Sequence, residues 1–316
     1  MKKLLATAAA ALLLTGASLA EAASPLVDVD WVKANLENED VVILDVRGGL
    51  AGLSKKDYLE GHIPGAIWTN YLKDGWRMKD GKGTIAQLPS VPQLESLISN
   101  LGIGNHHHVV IVPHGKKAVD VGTATRIYWT FKVLGHEEVS ILNGGMTAYT
   151  AAKVEGTNTP LNPLETGEVT LESELFEAEL QQHMLIGKEQ VIEASATGRL
   201  IVDNRPSNQY LGINKHGKAL RHGTIPGARN LPENWLTDNG GGTFRSKQEI
   251  EQLYQLANVP LAGDQITICN TGHWASLGWF VSHEILGNDK TRLYDGSMVE
   301  WAADQSLPVH SRVQRN

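Results

Sequence analysis

One cysteine, Cys269, stands in the string CNTGHWAS (269–276), and the 316 residues contain no second thiol to pair with it. Once ionised, a thiol is a strong nucleophile. Successive backbone N–H groups in a tight turn, aided by the positive end of a following helix, favour that ionised form. The neighbourhood predicts such a turn. QITI (265–268) is a short, β-branched run after the turn signal Ala262-Gly263-Asp264, and Leu277, Val281 and Ile285 recur at helical spacing. Cys269 is thus expected to end a strand, with a helix opening about five residues later. The amides of Asn270, Thr271, Gly272, His273 and Trp274 would turn inward, with Gly272 tolerating the positive φ that a curled loop requires. The expected consequence is a lowered thiol pKa. His273 either hydrogen-bonds or shuttles a proton within the site or faces solvent, and Trp274 packs the loop or walls a pocket.

The elements that hold this loop occur twice. VVILDVR (41–47) answers RLIVDNR (199–205), and GHIPGA (61–66) answers GTIPGA (223–228). An amphipathic helix follows in each copy, opened by Ser90 or Ser246 with Gln93 or Glu249 at the capping-box position. HVVIV then answers QITIC, and VLGHEEVSILNGG answers ILGNDKTRLYDGS. Strands alternating with helices at this spacing predict two homologous α/β domains, each a mainly parallel sheet flanked by helices, with the site at the strands' carboxyl ends. The first domain is placed at 25–155, a Pro-, Thr-, Asn- and Gly-rich linker at 156–173, and the second domain at 174–316. The copies differ where chemistry would sit: the first reads VPHGKKAVDVGTATR, with Pro113 and His114 where the second has Cys269. A structural cysteine could sit in either copy, whereas a nucleophile is needed once per site.

Residues 1–22 read as a secretory signal: Lys2 and Lys3 precede an apolar run, and Ala20-Glu21-Ala22 offers a small-x-small cleavage site. A periplasmic protein is expected, which sharpens the significance of a lone thiol, since oxidising compartments favour paired cysteines. A formal net charge of -7 and the lack of a basic run argue against nucleic acid or a membrane surface as partner. His106 and His108 would share one side of a strand, but with no third ligand nearby no metal site is expected. A Cys-x5-Arg phosphatase or arsenate reductase also uses a thiolate in an amide cradle; Ala275 occupies the position where its arginine belongs.

Together these strings resemble the tandem-domain rhodaneses, the thiosulfate and 3-mercaptopyruvate sulfurtransferase family. The resemblance rests on Asp-x-Arg at Asp45/Arg47 and Asp203/Arg205, GHIPGA, the GxxxVSxLxGG segment at 135–145, and YDGSMVEW (294–301) followed by LPV. It implies a first domain without the catalytic cysteine and a second that carries sulfur as a Cys269 persulfide, cradled by the amides of residues 270–274, with no metal or organic cofactor. The implied partners are a small anionic sulfur donor and a thiol or cyanide acceptor. Family members that use thiosulfate often read Cys-Arg-Lys-Gly and those that use mercaptopyruvate Cys-Gly-Ser/Thr-Gly. Here Thr271 leans to the second pattern and Asn270 fits neither. The loop therefore offers a dianion no fixed positive charge, and cations are sought on the segment leading into the second IPGA: Arg205, Lys215, Lys218 and Arg221. Arg221 is the better candidate substrate contact, because Arg205 has Asp203 as an internal partner. Thiosulfate is the expected donor, 3-mercaptopyruvate the alternative, and a non-catalytic sulfane-sulfur carrier or binding module a further one.

Overall fold

Apolar runs alternating with amphipathic segments fold here into two parallel five-stranded sheets. The computed structural model describes residues 23–314, so the signal-like segment 1–22 lies outside the described residues. The first sheet contains β1 (Leu26–Val27), β2 (Val41–Asp45), β3 (Ile67–Trp68), β4 (His108–Val112) and β5 (Val139–Leu142), in the order β1-β5-β4-β2-β3. The second contains β6 (Leu185–Ile186), β7 (Leu200–Asp203), β8 (Arg229–Asn230), β9 (Gln265–Ile268) and β10 (Thr291–Tyr294), in the order β6-β10-β9-β7-β8. Counted within each half the two orders are identical, and every pairing is parallel. The expected fold class, two homologous α/β domains with helices flanking parallel sheets, is the one observed. Ser90 and Ser246 open the helices Val91–Asn100 and Lys247–Leu256 through capping boxes to Gln93 and Glu249. Among the described residues no helix is long and apolar enough to cross a membrane.

Each central strand is buried on both faces, as parallel sheets require. In β4, Val109 and Ile111 face one core cluster while Val110 and Val112 face another. The larger cluster does not stop at the domain boundary: it joins Leu44 and Ile111 of the first sheet to Val202 and Leu293 of the second. Between them lie two helices in mutual contact, Ala118–Val133 and His273–Phe280. The first of these is buried from Asp120 to Val133, polar residues included, because neither side of it meets water. Small residues let the pair approach closely. A Cβ on Gly122 would stand 2.6 Å from His273 Nε2, and Thr125 Oγ1 lies 2.9 Å from Ser276 Oγ.

Two expectations change. Residues 174–181, assigned by composition to the second domain, run instead along the first. The amides of Glu174 and Phe176 donate to Ser99, those of Glu179 and Gln181 to the carbonyls of Leu134 and Val133, and the Phe176 ring packs edge-on to Phe131. The cause is the uncovered end of the Ala118–Val133 helix, whose last carbonyls need donors. Nor do His106 and His108 share one side of a strand, because β4 begins only at His108. His108 Nε2 lies 2.8 Å from Ser140 Oγ, exposed His106 packs at a tilt against His107, and His107 Nδ1 accepts from the Gly104 amide. No group of three or more metal-type side chains gathers among the described residues.

Candidate active site

Cys269 follows β9 directly, and its helix begins at His273. The loop between them is clamped from behind by the turn after β10. The Cys269 amide donates to Ser297 Oγ at 3.0 Å, and the amides of Met298 and Val299 donate to the carbonyls of Cys269 and Asn270. The first half repeats this clamp: the amides of Met146 and Thr147 donate to the carbonyls of Pro113 and His114. The strand registers agree, since Val112 pairs with Asp45 as Ile268 pairs with Asp203. The counterpart of the thiol is therefore Pro113, a residue with neither nucleophile nor N–H.

The sulfur sits 1% exposed, with the Thr271 amide donating to Sγ at 3.4 Å. Burial pushes the Cys269 thiol above its ordinary value, against hydrogen bonds from the amides of Thr271, Ala275 and Trp274 that pull it down. Of the five amides expected to turn inward, those of Thr271 and Trp274 meet the sulfur, joined by that of Ala275, and the lowered pKa expected of them is corrected: desolvation outweighs them. Gly272 has φ +74°, in the left-handed region, and caps the helix. Asn270 turns away from the thiol, its Nδ2 donating to Gln209 Oε1 at 2.8 Å.

His273 is not a solvent-facing residue. It is 7% exposed, with Nε2 donating to the Val119 carbonyl at 2.8 Å and Nδ1 3.4 Å from the Tyr71 hydroxyl. Both partners belong to the first half. Burial pushes His273 down to about 4, with Arg77 and Arg126 adding to the shift, so the ring is neutral near pH 7. Trp274 does both things expected of it: it packs on the shared core and walls a cavity of about 250 Å³ that opens onto Cys269. Leu50, Ile85 and Val119 form the apolar side of that cavity and Arg77 its charged edge; all four come from the first half. Beneath the loop, Arg126 of the first half pairs with Asp295 of the second at 2.6 Å, both shielded from water.

The two arginines expected to hold a substrate do not line this cavity. Arg205 is 1% exposed, paired with Asp203 at 2.5 Å and donating to the Gly223 carbonyl. In the half that lacks the thiol, Arg47 makes the same contacts with Asp45 and the Gly61 carbonyl, which identifies the motif as a structural clip. Arg221 donates to four carbonyls, those of Trp301, Ala302, Asp304 and Leu307, and so ties down the C-terminal segment. Four of its five N–H groups are so occupied, and the side chain lies outside the cavity wall. Lys215 donates to the Ala219 carbonyl and also lies outside the cavity wall. Sequence reasoning missed Arg77 and Tyr71, about 200 positions from the thiol, because no local pattern links them to it.

Comparison with known proteins agrees with this geometry. The profile of the Rhodanese-like domain matches residues 28–152 and 187–304. The sulfur carrier protein TtuD of Thermus thermophilus is 30% identical over 292 residues, 90% of this chain and 95% of the relative. The thiosulfate sulfurtransferase of Bos taurus is 31% identical over 288 residues, 87% and 91% of the two chains. Among solved structures, SseA of Escherichia coli, a 3-mercaptopyruvate sulfotransferase, shares the fold with a TM-score of 0.73. Its identity is 24%, over 87% of this chain and 99% of that one.

Proposed function

This chain belongs to the rhodanese family, and from that premise we propose that it moves sulfane sulfur from thiosulfate to a thiophilic acceptor, cyanide or a thiol, by way of Cys269. At the coarser level it is a sulfurtransferase that works through a single active-site cysteine. The observation that carries the reading is the lone thiol at the end of β9, facing a cavity and met by loop amides where its twin has a proline. In the donor half-reaction the Cys269 thiolate attacks the outer sulfur of thiosulfate. The S–S bond of the donor breaks, its electron pair leaves on sulfite, and a cysteine persulfide anion remains in the amide cradle. In the second half-reaction the acceptor attacks the terminal sulfur, the new S–S bond breaks, and the thiolate returns; with cyanide the product is thiocyanate. In each step the attacking group gives an electron pair to the sulfane sulfur and the leaving group carries one away, so no external redox agent is required.

The second reading, 3-mercaptopyruvate as donor, is favoured by Thr271 and by a loop with no charge of its own. The third, a sulfur carrier, draws on the name of the Thermus relative. Steady-state turnover with each donor at matched acceptor separates the three: thiosulfate faster, mercaptopyruvate faster, or persulfide formed without turnover. Because burial raises the thiol, the persulfide-forming rate with thiosulfate should climb from pH 6.5 to 8.5, about tenfold per unit at the steepest, and level off only above the ordinary thiol range. His273, at about 4, adds no limb between pH 5 and 8. A rate that is flat across that window in single-turnover measurements would contradict the raised thiol.

Export to the periplasm is part of the same proposal, supported by the charged, apolar and small-x-small order of residues 1–22. The expected form in the cell envelope begins at Ala23. Intact-mass measurement of the periplasmic fraction reads this directly, and full-length protein confined to the cytoplasm would overturn it.

A further inference from the structure

A site for an anion needs a positive charge, and the segment that appeared to supply one is committed elsewhere. Arg205 and Arg221 are bound to a carboxylate and to backbone carbonyls. His273 is neutral. His216, on the cavity wall, is pushed down by burial and by Lys215 and Lys218, which disfavours its charged form. One permanent cation borders the cavity among the described residues, Arg77. It has no carboxylate partner there; its guanidinium lies 4.9 Å from the centre of the Tyr71 ring, and Tyr71 in turn reaches His273. An arginine stacked on an aromatic face is held in place with its edge N–H groups still available, a geometry suited to a planar or tetrahedral oxyanion.

We infer that Arg77, carried by the first half, is the residue that selects the donor's anionic group at the Cys269 cavity. This rests on the sulfurtransferase reading and goes further: the thiol-less domain supplies specificity to its twin. The apolar side made by Leu50, Ile85 and Val119 leaves room beyond the oxyanion for an uncharged body. A single guanidinium on the cavity wall matches a donor whose anionic group is engaged at a single point.

The test uses thiosulfate and the full chain. In the inactive Cys269→Ser protein, calorimetric titration with thiosulfate should show binding that weakens about 10- to 100-fold when Arg77→Ala is added, with Arg77→Lys in between because it keeps charge but loses the fork. In the active protein, Arg77→Ala should raise KM for thiosulfate more than it lowers kcat, and inert salt should reproduce part of that rise. The half-exposed position of Arg77 makes folding of the variants straightforward to verify by thermal melting. Undiminished binding in Cys269→Ser/Arg77→Ala, or no thiosulfate binding by Cys269→Ser with an unchanged KM in Arg77→Ala, overturns the assignment. Arg77-dependent binding in a protein that never acquires sulfur would instead uphold Arg77 and remove the transfer reading.

Discussion

Replacing Cys269 by Ser is expected to abolish sulfur uptake and to lower turnover by at least about a thousandfold. The side chain keeps its size and its hydrogen-bonding reach, so the clamp from Ser297, Met298 and Val299 is preserved and the fold is undisturbed. What is lost is chemistry. A hydroxyl in the same amide cradle stays protonated at any pH the protein survives and cannot form a persulfide. Donor-treated wild-type protein should gain about 32 mass units, one sulfur, at Cys269 and lose them on addition of cyanide. The Ser variant should show no change. A mass gain in the variant, or turnover within about tenfold of wild type, would remove Cys269 from the reaction, since the chain has no other thiol to take its place.

Gly272→Ala should come next in severity, for a reason that combines backbone and electrostatics. At φ +74° a Cβ costs about 1–2 kcal/mol, and here it would overlap Arg126 Nη1 and fall 2.5 Å from Asp295 Oδ1. That pair is buried, spans the two halves, and is extended by the Leu88 amide, which donates to Asp295 Oδ2 at 2.5 Å. Either the loop lifts and the Thr271 amide leaves the sulfur, or a largely buried ion pair parts, at a cost of about 3 kcal/mol. Expected outcomes are a loss of about 100-fold in persulfide formation and a clear drop in the denaturant midpoint. Gly263→Ala is the matched control. Its φ of +106° is also left-handed-side, but nothing lies within 4 Å of the added atom, so only the backbone penalty applies. If the two variants behaved alike, the contact with Arg126 and Asp295 would not matter to the site.

What could be read from the chain and what could not divides by range. The capping serines and the strand–loop–helix at Cys269 are local, and the structure has them. The duplicated strings carried the topology, because two copies with one order of elements fold to one strand order. Arg221 misled because its sequence position, beside a turn leading to the site, says nothing of the four carbonyls that come from residues 301–307. The thiol pKa misled for a similar reason: the amides are encoded in the loop, whereas the burial that outweighs them comes from a core cluster drawn from both halves of the molecule. Arg77, Tyr71 and Val119 were invisible for want of any pattern tying them to Cys269. The helical spacing of Leu277, Val281 and Ile285 was right in kind, though the helix ends at Phe280 and the next turn, Val281–Ile285, is a wider one.

The buried helix Ala118–Val133 carries one more consequence. A duplicated segment ordinarily leaves one copy free to drift, but here the drifting copy became load for its neighbour to lean on. Detached, it would present to water a rod with apolar and polar residues all around it, and the second copy would lose the wall, the histidine's acceptor and the arginine beneath its loop. The unit that was repeated is thus no longer the unit that folds. The first copy can dispense with its own reaction, as Pro113 shows, yet it cannot dispense with its shape. Tolerance to substitution in residues 25–155 should accordingly fall with nearness to that helix, not with nearness to the vacated strand end.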